Sequence, residues 1–135
     1  MSSTLTVLTH STNRLAKLWR ADGTVSGYED AKHYSVNEIQ VQGIRSLSEQ
    51  LSKLEHLPHS AVIRGKFKGH AAAAAIDTDH RPGLARRIKA LYDDAPLHWV
   101  LIEVDSFKPV ADPLKRPVAA IAEYVAAHLP PAFQD

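Results

Sequence analysis

The most constraining feature of this sequence is the run HWVLIEVD, from His98 to Asp105, which is apolar at nearly every position before its acids. A strand with one solvent-exposed face alternates apolar and polar residues, whereas a near-continuous apolar run is typical of a strand covered on both faces. The run therefore predicts a central strand at about 98–105. A buried strand needs covering layers. We expect an α/β fold, with α+β as the alternative, built on a small mixed sheet.

Apolar residues at helical spacing predict three helices to cover that sheet. They are expected at about residues 46–56, 83–92 and 116–129. Ser46 and Glu49 form a capping box for the first helix. Pro82 and Pro117 suit the first turns of the other two, because proline lacks only a hydrogen-bond donor that is unpaired there anyway.

Short β-prone runs indicate further strands nearer the N-terminus. Residues 4–9 and 14–20 flank a turn-forming segment and predict a hairpin, and residues 34–41 extend it into an antiparallel sheet. Residues 60–65 predict another strand. The alanines at 71–75 favour a helix, although so short a helix is rarely stable alone.

Composition limits the class of protein. At 135 residues the chain fits a single domain, 1–135. Sixteen basic and fifteen acidic residues leave a net charge of +1, which excludes a whole-molecule basic field for nucleic acid. The absence of cysteine excludes disulfides and thiolate metal sites. Since no apolar run approaches the ~20 residues of a membrane helix, we expect a cytoplasmic protein without a membrane partner.

The carboxylates of Glu103 and Asp105 are the strongest candidates for chemistry. Residues two apart on a strand share a face, so both acids would project together where the buried strand ends. Such a pair suits Mg²⁺ or Mn²⁺, which prefer carboxylate and water oxygens. The alternative is that they are two surface acids at the point where the strand reaches water.

The acid-x-acid pattern resembles the first catalytic motif of the archaeo-eukaryotic primase superfamily, in particular the primase-polymerase domains at the N-termini of phage and plasmid replication proteins. The preceding DDAPLHW segment at 93–99 and the basic pair Arg86 and Arg87 belong to the same resemblance. It extends over most of the chain, but Glu103-Val104-Asp105 is its one sharp motif.

The resemblance implies that Glu103 and Asp105 bind the divalent metals of nucleotidyl transfer, with a DNA template and nucleotides as partners. Where the family usually has aspartate first, Glu103 is one methylene longer. The family's serine-histidine motif and its third acidic motif would fall beyond Asp135. The resemblance therefore implies the N-terminal half of such a domain, which alone would not synthesise primers.

Other residues offer weaker candidates. A local basic patch could hold a nucleic-acid backbone or a triphosphate. Its members would be Arg64, Lys66, Lys68, Arg86, Arg87 and Lys89. Asp77, Asp79 and His80 are a second possible metal group, although acidic loops are more often simple turns. A non-catalytic nucleic-acid-binding or replication-accessory module, and a structural or protein-interaction domain, remain alternatives to the enzyme.

Overall fold

The computed structural model describes residues 2–94 and 107–131. The chain divides into two compact units, residues 1–101 and 102–135, and each is described by itself. The strand expected at 98–105 lies outside the described residues. That the whole chain is one domain stays a prediction.

A four-stranded antiparallel sheet organises the first unit. Strand β1 (Ser2–Thr9) pairs along its whole length with β4 (His33–Gln42), and its other edge pairs with β5 (Ser60–Ile63). The short strand β7 (Ala85–Arg86) pairs with the start of β4, which gives the order β5-β1-β4-β7. Together with the helices below, this sheet confirms the expected α/β class, and every pairing among the described strands is antiparallel.

One face of the sheet carries the main core. Leu5 and Val7 of β1 and Val41 of β4 are buried together. Helix α1 (Gly43–Leu54) covers them with Leu47 and Leu54, as the leucine spacing predicted. Because Leu5 has no exposed surface, its burial alone contributes about 1.5–3 kcal/mol.

Gly43 explains why α1 begins three residues before the predicted capping box. The chain passes from β4 directly into the helix at Gly43. Gly43 has a φ of 74° at this junction, where a residue with a side chain would be strained. The helix therefore includes Ser46 within its first turn, and its N-cap residue, Gln42, forms no side-chain capping hydrogen bond.

A second, smaller core lies around helix α2 (His70–Ile76), which contains the alanine run. Ala73 of this helix is buried with Ala85 and Leu91, and Val36 of β4 packs against them. The packing explains why so short a helix forms at all, because tertiary contacts supply the stability that seven residues cannot supply alone.

The helix predicted at 83–92 is wrong. Ala85 and Arg86 form β7, residues Lys89–Leu91 form one 3₁₀ turn, and β8 (Tyr92–Asp93) pairs with β6 (Lys66–Phe67). Leu91 is buried, but the apolar spacing that suggested a helix arises from separate contacts of two short strands and a turn. The backbone groups of β7 and β8 bond to β4 and β6, and only the single turn between them is held by local bonds such as that from the Leu91 N–H to the Ile88 oxygen.

The hairpin predicted between residues 4–9 and 14–20 is also wrong. Both edges of β1 are taken by β4 and β5, so the later segment cannot pair with it. Instead β2 (Leu18–Trp19) pairs with β3 (Val25–Ser26) across a turn at Asp22 and Gly23. The Asp22 carboxylate accepts hydrogen bonds from the Thr24 hydroxyl and backbone N–H, at 2.7 and 2.9 Å.

The second unit contains helix α3 (Pro117–His128), which confirms the helix predicted from Pro117. The Glu123 carboxylate accepts hydrogen bonds from the backbone N–H groups of Val110 and Ala111, at 2.6 and 2.9 Å. These bonds tie the loop before the helix to its middle. No helix among residues 2–94 and 107–131 is long and apolar enough to cross a membrane.

Candidate functional site

Glu103 and Asp105, the predicted catalytic and metal-binding pair, lie outside the described residues, so their placement stays a prediction. Among the described residues, two of the predicted basic residues, Arg86 and Arg87, lie at the end of β7. Strand β7 ends in Arg86 and is followed directly by Arg87, and these two arginines have different surroundings.

Arg86 belongs to a partly buried polar cluster. Its Nη1 donates to Asp77 Oδ1 at 3.2 Å, and the Asp77 side chain is only 2% exposed. The backbone N–H of Asp79 donates to the same oxygen at 3.0 Å. Burial alone would raise the pKa of Asp77, but these bonds and the Arg86 charge outweigh it and hold that pKa below its ordinary value. Asp77 is therefore an ionised anchor for Arg86.

His33 completes this cluster from the facing strand. It pairs with Arg86 in the β4–β7 register, and its Nε2 lies 2.7 Å from the backbone oxygen of Asp79. The Asp79 carboxylate is 3.6 Å from the same nitrogen. Because His33 is itself buried, the cluster fixes the edge of the sheet through hydrogen bonds as well as through packing.

Arg87 lines a cleft of about 240 Å³ over the sheet. The floor is apolar and is formed by Leu8, Ala61 and Ile63. Tyr34 of β4 borders the cleft beside Arg87, and residues 28–31 form a wall. The cleft thus extends across the strands from β5 to the end of β7. No carboxylate in residues 2–94 or 107–131 forms an ion pair with Arg87.

The wall of the cleft is held in place by the loop before β2. Arg14 and Glu29 are joined twice, because each backbone N–H donates to an oxygen of the other residue, at 2.8 Å in both cases. Asn13 donates from its side chain to the backbone oxygen of Asp30. Tyr34 donates its hydroxyl proton to the backbone oxygen of Ala31 at 2.6 Å. These bonds keep Tyr28 and Tyr34 at the cleft with one tyrosine, Tyr28, largely exposed.

The remaining predicted cations do not join Arg87. Arg64 forms an ion pair with Asp94 at 3.4 Å, and Lys68 forms one with Asp93 at 3.3 Å. Lys66 lies on β6, and Lys89 lies in the 3₁₀ turn. The six basic residues are thus distributed over several short elements, and acids neutralise part of their charge. Arg87 is the member with a cleft beside it.

The possible metal group at Asp77, Asp79 and His80 does not form. Within the described ranges, no three side chains of the types that ligate metals come close enough to hold an ion. Asp77 Oδ1 already accepts from Arg86 and from a backbone N–H. The pattern of this loop is explained by the turn and by the anchoring of β7.

Sequence reasoning identified Arg87 but not its neighbours. Tyr28 and Tyr34 precede Arg87 by more than fifty positions. The pairing of β4 with β7 brings Tyr34 to the same cleft as Arg87, and the bonds of residues 29–31 hold Tyr28 there. No short-range pattern could have indicated this arrangement. His33 and its contact with the Asp79 backbone were missed for the same reason.

No protein-family model, curated protein or solved structure matches this chain. The residues themselves are therefore the basis for any functional assignment.

Proposed function

We propose that this chain is the N-terminal portion of a DNA primase-polymerase and contributes the first metal-binding acidic motif for nucleotidyl transfer. The observation that carries the proposal is the acid-x-acid pair Glu103 and Asp105 at the end of the chain's most apolar run. In this role the two carboxylates hold Mg²⁺ or Mn²⁺. The partners are a DNA template and nucleotides, and the location is the cytoplasm.

The metals would supply activation of the attacking primer hydroxyl and stabilisation of the leaving pyrophosphate. One of the predicted phosphate-binding cations, Lys66, lies on β6 and forms no ion pair with another described residue. Arg87 offers a cation without an ion-pair partner in the described part of the chain. These features support contact with a phosphate backbone but do not by themselves require catalysis.

Binding of Mn²⁺ tests the proposal directly. Electron paramagnetic resonance at neutral pH measures free Mn²⁺ during a titration of the whole chain. We expect a dissociation constant on the order of 1 mM or tighter for an incomplete oxygen site, and weaker binding in Glu103→Gln and in Asp105→Asn. Glu49→Gln, which removes an exposed carboxylate from α1, is the matched control.

An absence of Mn²⁺ binding, or equal binding by all four proteins, would contradict the metal-site assignment. The control changes the net charge by the same amount as each test substitution. A general loss of electrostatic attraction would therefore weaken Mn²⁺ binding equally in the control and in the two test variants. A loss confined to the Glu103 and Asp105 variants identifies these two acids as ligands.

A non-catalytic nucleic-acid-binding module is the second candidate, and the cleft at Arg87 is the observation that favours it. This module would bind nucleic acid without binding Mn²⁺ at Glu103 and Asp105. The metal titration therefore separates the two candidates.

A further inference from the structure

The cleft over the sheet has three features that are not used by the hydrogen bonds and ion pairs described above. It has an apolar floor, two tyrosines at its border and a guanidinium with no ion-pair partner in the described ranges. Leu8 and Ile63 of the floor are nearly fully buried, whereas Arg87 and Tyr28 are exposed. The cleft therefore offers mainly polar groups to a ligand from solvent, among them the positive charge of Arg87, and a small apolar area at its floor.

Size limits the ligand. Sites for drug-sized molecules are usually about 300–1,000 Å³, and this cleft of about 240 Å³ is smaller. It has room for a single ring system, and a stacked pair of bases in a duplex would not enter it. A flat ring over an apolar floor beside tyrosine is the arrangement by which proteins bind unpaired bases.

Charge defines the other part of the ligand. Arginine binds phosphate with paired hydrogen bonds, and it also stacks on flat rings. Glu29 and Asp30 border the cleft from the wall, but Glu29 already accepts a hydrogen bond from the Arg14 backbone. Because these acids oppose an anion on their own side, the phosphate belongs beside Arg87 and the base belongs over the floor.

We infer that this cleft binds one unpaired base of a single-stranded nucleic acid, with Arg87 holding an adjacent phosphate and Tyr28 stacking on the base. This inference deepens the proposed function, since it rests on nucleic acid being the partner. The anchoring of Arg86 by Asp77 gives the site its precision, because it fixes the strand end from which Arg87 projects.

Fluorescence anisotropy with a labelled single strand of about twelve nucleotides tests the inference in the whole chain. We expect Arg87→Ala to weaken binding several-fold and to reduce the salt dependence by about one phosphate contact. Tyr28→Ala should weaken binding roughly tenfold or more, whereas Tyr28→Phe keeps the ring and binds like the unmodified chain.

Arg45→Ala is the matched control for charge. Arg45 is exposed on α1, which covers the opposite face of the sheet. Its loss should therefore change the affinity and the salt dependence less than the loss of Arg87 does. Equal effects of Arg45→Ala and Arg87→Ala would overturn the inference, because binding would then follow net charge alone. Circular dichroism of each variant confirms that the fold is retained.

Three further ligands sharpen the outcome. A duplex of the same length should bind more weakly than the single strand, and equal binding would overturn the stacking of an unpaired base. A free mononucleotide that displaces the strand at equal concentration would overturn the assignment to a polymer. DNA and RNA strands of one sequence show which of the two provides the better ligand, and binding of either supports the site.

The result is distinguishable from that of the metal experiment. If Arg87→Ala and Tyr28→Ala bind the strand normally while Glu103 and Asp105 bind Mn²⁺, the cleft inference fails and the proposed function stands. If the strand binds through the cleft but Mn²⁺ does not bind, the metal site fails and the cleft stands.

Discussion

Asp77 shows how one buried carboxylate can position a functional surface. Its Oδ1 accepts hydrogen bonds from Arg86 and from the Asp79 backbone, while Oδ2 is buried without a partner among the described residues. A buried acid that remains ionised needs such partners, because desolvation opposes its charge. The arrangement makes the edge of the sheet sensitive to the charge at this one position.

We expect Asp77→Asn to destabilise the fold at pH 7, because it removes the negative charge that Arg86 faces. The Asp77 pKa is lowered from 3.8 in the folded state. Its contribution is therefore fully present above that value and is lost as the pH falls through the lower folded pKa. The urea midpoints of the two proteins should differ at pH 7 and converge in acid.

Asp94→Asn provides the comparison for a surface pair. Asp94 is 85% exposed and its partner Arg64 is 52% exposed, so their interaction contributes about 0–1 kcal/mol at most. An effect of Asp94→Asn equal to that of Asp77→Asn would contradict the anchoring role of the buried acid.

Tyr92 should lose its phenolic proton only at high pH. Burial, reinforced by nearby Tyr34, raises the pKa of Tyr92 to about 12. Because burial disfavours the tyrosinate, ionisation of Tyr92 leaves the free energy of unfolding unchanged below pH 10 and lowers it as the pH rises from 10 toward 12. Ultraviolet titration of tyrosinate should show a component near pH 12, and Tyr92→Phe should remove it.

The Tyr92 hydroxyl is buried without a hydrogen-bond partner among the described residues. Removing an unsatisfied hydroxyl relieves a desolvation cost, so Tyr92→Phe should leave stability unchanged or raise it by about 1 kcal/mol. A clear loss of stability would mean that the hydroxyl is in fact hydrogen-bonded.

At the scale of single elements, Gly43 has the most definite consequence. Its φ of 74° lies in the left-handed region, which costs other residues roughly 1–2 kcal/mol. We expect Gly43→Ala to lower the free energy of unfolding by about that amount. Gly27→Ala is the control, since Gly27 has no positive φ and an added Cβ would meet nothing within 4 Å at either position.

Both glycine variants can be measured in one series of chemical denaturation curves. The contrast between them isolates backbone strain from the gain or loss of contacts, because neither new methyl group touches a neighbour. Similar stability of the two variants would show that the junction of β4 and α1 accepts another conformation.

The elements that the sequence predicted correctly have strong local signals. The leucines of α1 and the proline at the start of α3 predicted those helices, although Gly43 moved the start of the first. Residues 34–41 and 60–65 were predicted as strands and are found in β4 and β5. In each case the side-chain period and the flanking turn residues agree with the tertiary structure.

The prediction for the segment at 83–92 failed because its two ends pair with different strands. Ala85 and Leu91 are buried in one cluster, yet β7 pairs with β4 while β8 pairs with β6. Pairing with distant strands thus overrode a helical pattern that extends over ten residues. Such long-range pairing cannot be read from a local pattern. The cleft was unpredictable for the same reason, since its residues come from segments far apart in the sequence.

At the scale of the first unit, β1 is the strand on which the others depend. It is paired on both edges, and its residues contribute to the core beneath α1. A strand with two neighbours and a buried side opens only when much of the unit opens with it. We expect backbone amides of β1 to exchange most slowly among the described strands, as hydrogen-exchange mass spectrometry would measure.

Leu5→Ala tests that dependence through the side chain. Leu5 has no exposed surface, and its truncation should lower the free energy of unfolding by about 2–5 kcal/mol. Ile44→Ala changes a residue that is 81% exposed and should have an effect within about 0.5 kcal/mol. A small effect of Leu5→Ala would contradict the position of the core described for this face.

The adjacent arginines Arg86 and Arg87 make the site sensitive to the register in which β7 pairs with β4. Successive residues of a strand alternate sides, so a slip of β7 by one residue could put Arg87 in the place of Arg86 and Ile88 in the place of Arg87. Asp77 would then draw the other guanidinium toward itself, and the cleft would lose its cation although the composition was unchanged. Through its ion pair with Arg86, the buried carboxylate of Asp77 therefore favours the alignment of β7 that leaves the charge of Arg87 available to a ligand.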